Sequence, residues 1–370
     1  MRLYDRASQG LRQVTLEPRM SVYVCGITPY DSAHLGHAFT YVHFDVLVRY
    51  LRHLGAEVVH AQNITDVDDD ILRVSRERGV DFQELARREV ASYERAMRAL
   101  RVAPPNHSPR ATEFVPHMVE EVEALLDAGH AYERTGTVYF SVATDPGYGR
   151  LSGVGRDEML KLAAERGGHP EDPHKGDALD FVLWQAWQPG EPWWESPWGR
   201  GRPGWHIECS TMSRRLLGQP VDVHGGGSDL IFPHHESELA QAEGVPGPRP
   251  FVRHWVHTGT VYMAGEKMSK SLGNLAFVDD VIQRHHPLRL REFILRRHYR
   301  QDWGFDEGEL AEPFSQPGRG PDDRDDFYRA LDEDLDTPEA LRVLDRAALA
   351  GDSKGKALWE EGRALLGLDP

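Results

Sequence analysis

The spacing of apolar residues switches twice within the first sixty or so positions. Val22-Tyr23-Val24 is a run of strand-forming residues, and Gly26-Ile27-Thr28-Pro29 stops it with residues that turn a chain. Tyr41, Phe44, Leu47, Val48, Leu51 and Leu54 then recur at helical spacing on one face, and Glu57-Val58-Val59-His60-Ala61-Gln62 reads as a second strand. Strand, helix and strand in that order predict a parallel sheet with His34-Leu35-Gly36-His37 at the start of the helix. Helix amides and two histidines then meet at the carboxyl edge of the sheet, where α/β proteins hold phosphates.

Asp66, Asp68 and Asp70 follow, with Glu77 at the twelfth position of a calcium-type loop. Ile71 stands where such a loop needs glycine, so an acidic helix N-terminus is the better reading. Helical patterning runs to about Leu100, and Val102-Ala103-Pro104-Pro105-Asn106-His107-Ser108-Pro109 breaks it. Phe114, Met118, Val119, Val122, Leu125 and Leu126 mark a further helix closed by Gly129. Thr135 to Phe140 reads as a hairpin, and Gly167-Gly168-His169-Pro170 as a loop. Six of the nine tryptophans crowd residues 184–205, read as packing where an insertion rejoins its domain rather than as a base-stacking platform. From Gly204 to Lys270 the chain reads as strand and loop, with Val221-Asp222-Val223 a short strand. Leu288 to Tyr299 is helical and basic, Pro313 to Pro321 a linker, and residues 334–341 fall in a short helical tail. The division expected is 1–100 and 201–275 as halves of one α/β nucleotide-binding domain, 101–200 as an insertion, 276–312 as a helical region and 313–370 as the tail.

Composition narrows the class. At 370 residues the chain is long enough for two or three domains. Its 43 lysines and arginines against 59 aspartates and glutamates leave a net charge of −16, so the surface as a whole is no DNA footprint. Two cysteines exclude a disulfide framework, and neither a signal peptide nor an apolar run long enough to span a bilayer is present, which leads to the expectation of a soluble cytoplasmic protein.

His34-Leu35-Gly36-His37 resembles the HIGH motif of class I aminoacyl-tRNA synthetases, and Lys267-Met268-Ser269-Lys270-Ser271 their second motif. With Cys25, Gly204-Trp205-His206-Ile207-Glu208-Cys209 and His224-Gly225-Gly226-Gly227-Ser228-Asp229, the set resembles the cysteinyl-tRNA synthetase family, over roughly residues 1 to 310. The resemblance implies a Rossmann-type parallel sheet split by an α/β insertion. Cys25, Cys209, His234 and Glu238 are four zinc-competent residues, the last two one helical turn apart; the resemblance assigns them a zinc ion that binds the thiolate of substrate cysteine. It also implies magnesium-bound ATP at His34, His37, Gly227, Ser228, Asp229 and Lys270, with His34, His37, Lys267 and Lys270 stabilising charge on the phosphates. Cys25, Thr28, Thr40, Asn63, Thr65, Trp205, His224 and Val261 would line the pocket for cysteine and cysteinyl-AMP.

The acceptor of the cysteine divides the resemblance. Pro29 and Glu165-Arg166-Gly167-Gly168-His169-Pro170 are similar to the mycothiol cysteine ligases, with His169 in place of their aspartate. Glu238, Pro109-Arg110-Ala111-Thr112, Leu151-Ser152-Gly153 and Lys270-Ser271-Leu272-Gly273-Asn274 are closer to the tRNA enzymes. Because the chain ends at Asp369-Pro370 without the surface that would read an anticodon, a small-molecule amine is expected over tRNA(Cys). A catalytically silent zinc or adenylate-binding regulator is the reading from another class.

Overall fold

A computed structural model describes residues 1–263, 265–268, 274–312 and 324–369. At its centre lies a four-stranded, wholly parallel sheet in the order Val252–Thr258, Val221–Gly227, Arg19–Ile27 and Glu57–Ile64. The two strands read from the sequence are neighbours, joined by the helix Leu35–His53. The edge of Glu57–Ile64 is covered by the proline-rich segment that follows Leu100. There the Gln62 amide donates to the His107 carbonyl at 3.0 Å, and the Ile64 amide to the Pro109 carbonyl at 2.8 Å.

The helix Leu35–His53 is more deeply enclosed than a single apolar stripe predicts. Phe39, Val42, His43, Asp45, Val46 and Tyr50 are buried beside the expected face. The reason is a second layer: the helices Pro287–Leu295, Arg324–Asp332, Thr337–Ala350 and Ser353–Leu365 share one apolar core with it, through Phe293, Phe327, Leu344 and Leu358. Among the described residues the tail is therefore three helices, not one short segment. Arg291 is wholly buried at this junction and donates to the Leu100 carbonyl, the Leu366 carbonyl and the Asp45 carboxylate at 2.8, 2.8 and 2.6 Å.

Between the sheet's halves the chain forms the helix Ala111–Asp127 and an antiparallel sheet of Ala131–Arg134, Thr137–Phe140, Phe181–Ala186 and Gly201–Pro203. Trp184 is buried and Trp198 packs beside it, whereas Trp187 and Trp193 stay at the surface. The strand-and-loop reading of 204–270 needs correction, because Trp205–Leu217 and Glu236–Gly244 are helices. Asp68 caps the helix Asp69–Arg78 by accepting from the Ile71 amide at 2.8 Å, as an acidic helix start requires. The expected linker at 313–321 lies outside the described residues. No helix among the described residues is long and apolar enough to cross a membrane.

Candidate active site and metal centre

The central strand delivers Cys25 near its carboxyl end, and the helix after the turn opens on the two histidines. His34 is the N-cap. Its Nδ1 accepts from the Gly36 amide at 3.1 Å and the His37 amide at 3.4 Å, while His37 Nδ1 lies 3.4 Å from the His34 amide. The rings stack with centroids 3.7 Å apart. This reciprocal cap fixes both imidazoles at the positive end of a nineteen-residue helix.

Four separated segments converge beneath it. Cys25 comes from the strand Arg19–Ile27, Cys209 from the helix Trp205–Leu217, His234 from the turn Ile231–His235, and Glu238 from the helix Glu236–Gly244. All four are buried, and one ligand atom from each lies within 4.8 Å of the others. His234 Nε2 is 3.2 Å and Cys25 Sγ 3.4 Å from Glu238 Oε1. Burial pushes the thiols of Cys25 and Cys209 and the carboxyl of Glu238 up. It holds the imidazole of His234 well below its ordinary value, in the neutral form that binds metals. Glu238 Oε2 makes no well-directed hydrogen bond, although His224 Nε2 lies 3.3 Å from it. Three acidic groups at such spacing without a cation are costly to bury. The donor set can hold a metal ion, which would offset that cost.

A shell of histidines surrounds the four. His206 Nδ1 meets His234 Nδ1 at 2.9 Å, which turns His234 Nε2 toward Glu238, and the Trp205 ring stacks on His234 at 4.2 Å. His235 Nε2 is 3.2 Å from Cys25 Sγ, and its Nδ1 is 2.7 Å from His257 Nε2. His224 Nε2 lies 3.6 Å from Cys25 Sγ and 3.3 Å from Glu238 Oε2, so Cys25, His224, His235 and Glu238 form an overlapping group of the same dimensions. Burial holds His206, His224 and His257 down to about 3. Sequence reasoning missed His206, His235 and His257. The doublet His234-His235 was the available signal, since either member falls within one turn of Glu238.

The other expected residues come from several elements. Asn63 and Thr65 adjoin the central strand: Asn63 Oδ1 accepts from the Gly26 amide at 2.8 Å, and its Nδ2 donates to Thr65 Oγ1 at 3.1 Å. Gly26 permits this approach, because a side chain there would overlap the Asn63 carbonyl. Thr28 donates to Asp68 at 3.1 Å. Thr40 Oγ1 pairs with Thr258 Oγ1 at 2.8 Å, and Val261 is buried in the strand just beyond. Gly227 ends its strand, Ser228 Oγ lies 3.2 Å from Thr260 Oγ1, and Asp229 meets Arg166 of the insertion at 3.4 Å. Lys270 and the side chain of Lys267 lie outside the described residues.

A parallel sheet with a histidine-capped helix at its carboxyl edge, split by an insertion, is the catalytic fold of the class I synthetases. The chain superimposes on methionyl-tRNA synthetase of Mycobacterium tuberculosis in complex with methionyl-adenylate with a TM-score of 0.63 at 16% identity, over 95% of this chain and 89% of that one. Residues 12–315 match the class I (C) tRNA synthetase catalytic domain. The chain belongs to that family, and so to the ATP-dependent ligases that use cysteine. It is 45% identical to the L-cysteine:1D-myo-inositol 2-amino-2-deoxy-alpha-D-glucopyranoside ligase of Thermomonospora curvata, over 95% of this chain and 89% of that protein. It is 47% identical to the cysteine--tRNA ligase of Methylococcus capsulatus, over 89% and 74%.

Proposed function

We propose that the chain activates cysteine as cysteinyl-AMP at a zinc site and passes it to a small-molecule amine. The observation that carries the reading is the convergence of Cys25, Cys209, His234 and Glu238 from four segments into one buried cluster beside the histidine-capped helix. Two sulfurs, an imidazole and a carboxylate suit zinc, which when bound supplies a Lewis acid that prefers a thiolate to the hydroxyl of serine. The helix amides with His34 and His37 receive the phosphates of magnesium-bound ATP, and Gly227, Ser228 and Asp229 its ribose. Lys267 and Lys270 of the second motif would add positive charge against the phosphates. The cysteine carboxylate attacks the α-phosphate and pyrophosphate leaves. The acceptor nitrogen then attacks the acyl carbon and AMP leaves. No side chain becomes covalently attached, so positioning and preorganised charge supply the rate.

The amine is favoured over tRNA by how the arginines of the helical region are used. Arg284 pairs with Glu307, Arg296 with Asp345 and Glu292, Arg297 with Glu309, Arg300 with Asp334, and Arg324 with Glu361. Guanidinium groups already paired with carboxylates leave little positive charge for an RNA backbone. The second reading, transfer to tRNA(Cys), is supported by the 47% identity to a cysteine--tRNA ligase, against 45% to the amine ligase. Zinc-loaded protein given labelled cysteine and ATP, with glucosaminyl-inositol and small amines in one reaction and total tRNA in another, tests the choice. Label on an amine alone supports the proposal, and label on tRNA overturns it.

A further inference from the structure

The acidic run after the second strand has no part in the chemistry described so far, yet one of its members touches the pocket. Thr28 follows the central strand three residues beyond Cys25, and its hydroxyl donates to Asp68 Oδ2 at 3.1 Å. A hydroxyl has one proton. With that proton committed to a carboxylate, Thr28 Oγ1 can only accept, so it presents lone pairs to an N–H donor. Asp68 Oδ1 is in turn held by the Ile71 amide at 2.8 Å, which fixes the carboxylate's orientation.

Burial pushes Asp68 up to about 7, so above that pH it is a carboxylate that accepts the Thr28 hydrogen bond.

We infer that Asp68 is a positioning residue that sets the polarity of Thr28, making it the acceptor for the α-ammonium of cysteine. The inference rests on the reading that this site binds cysteine. It explains how the site would require an amino group as well as a thiol.

Asp68→Asn isolates the effect. Asparagine is also a good N-cap, so Oδ1 still receives the Ile71 amide and the helix Asp69–Arg78 is kept. The amide nitrogen then faces Thr28 and donates to it, which turns the hydroxyl proton toward the pocket. The measurement, made at about pH 8 where Asp68 is ionised, is calorimetric binding of cysteine and of 3-mercaptopropionate, cysteine without its amino group, to zinc-loaded wild-type and D68N protein of equal melting temperature. The wild type is expected to prefer cysteine, and D68N to lose roughly 10–100-fold in cysteine affinity, the range for a hydrogen bond to a charged group. Affinity for 3-mercaptopropionate should stay within about twofold, since it makes no bond to the acceptor that is inverted. An unchanged preference in D68N, or an equal loss for both ligands, overturns the inference alone. Failure of wild-type protein to bind cysteine overturns the activation reading on which it rests.

Discussion

Arg291→Met tests the junction that holds the helical tail to the nucleotide-binding sheet. Arg291 is fully buried and pairs with Asp45, which is 2% exposed, while its other nitrogens satisfy the carbonyls of Leu100 and Leu366. Methionine fills a similar volume but leaves a buried carboxylate short of its cation and two carbonyls short of donors. Breaking a buried ion pair from one side costs about 3–5 kcal/mol. Asp45 keeps Arg49 at 2.8 Å and the Ala103 amide at 2.9 Å. The expected loss therefore sits near the lower end, at about 3 kcal/mol. Urea denaturation followed by far-UV circular dichroism reads it. The double variant D45N/R291M, which removes both charges, should recover part of the loss. A cost below about 1 kcal/mol, the scale of an exposed pair, or a double variant less stable than R291M, would show that Arg291 does not hold this junction through its buried charge.

Three further predictions concern the site. Purified protein should hold about one zinc per chain by atomic emission, and Cys209→Ser or Glu238→Gln should lower retention after dialysis by at least about tenfold; unchanged retention removes those residues from the metal set. His34→Asn keeps an N-cap, whereas His34→Ala loses about 1 kcal/mol of stability with it; both should reduce pyrophosphate exchange by about 10²-fold if the ring acts on phosphate, and activity in the asparagine variant would leave His34 a cap only. Asp68 stands at about 7 in the folded chain against about 3.9 unfolded, so the fold binds this proton more tightly. Its stabilising contribution is complete below about pH 4 and is lost as pH rises through about 7. The stability of wild type relative to D68N should fall across that window in paired melts, and a flat difference would contradict the assignment.

The parts of the molecule legible in the sequence were those where residue type and spacing act locally. Val22-Tyr23-Val24, the glycine-proline turn and the 3.6-residue apolar recurrence of the first helix gave the strand–helix–strand core, and two cysteines with a His/Glu pair at helical spacing marked the residues that the fold brings within 4.8 Å. The helix Trp205–Leu217 was hidden because its buried face is polar. Ser210, Thr211 and Ser213 are wholly buried, and Ser210 is satisfied by Gln241 at 2.6 Å, a pairing that apolar periodicity does not register. Arg291 was hidden for a similar reason. A basic helix reads as a solvated one until Asp45, 246 positions away, is seen to meet it. The histidine shell likewise depends on side chains from different strands and helices turning toward one point.

If cysteine is activated at the metal centre, zinc-loaded protein catalyses cysteine-dependent ATP–pyrophosphate exchange. Exchange with cysteine is expected to fall when zinc is chelated and to return when it is restored, with a preference over serine on the order of 10⁴-fold, because the site would bind a thiolate that serine lacks. Absence of exchange in zinc-loaded protein, or equal rates with serine, would contradict activation at the metal centre.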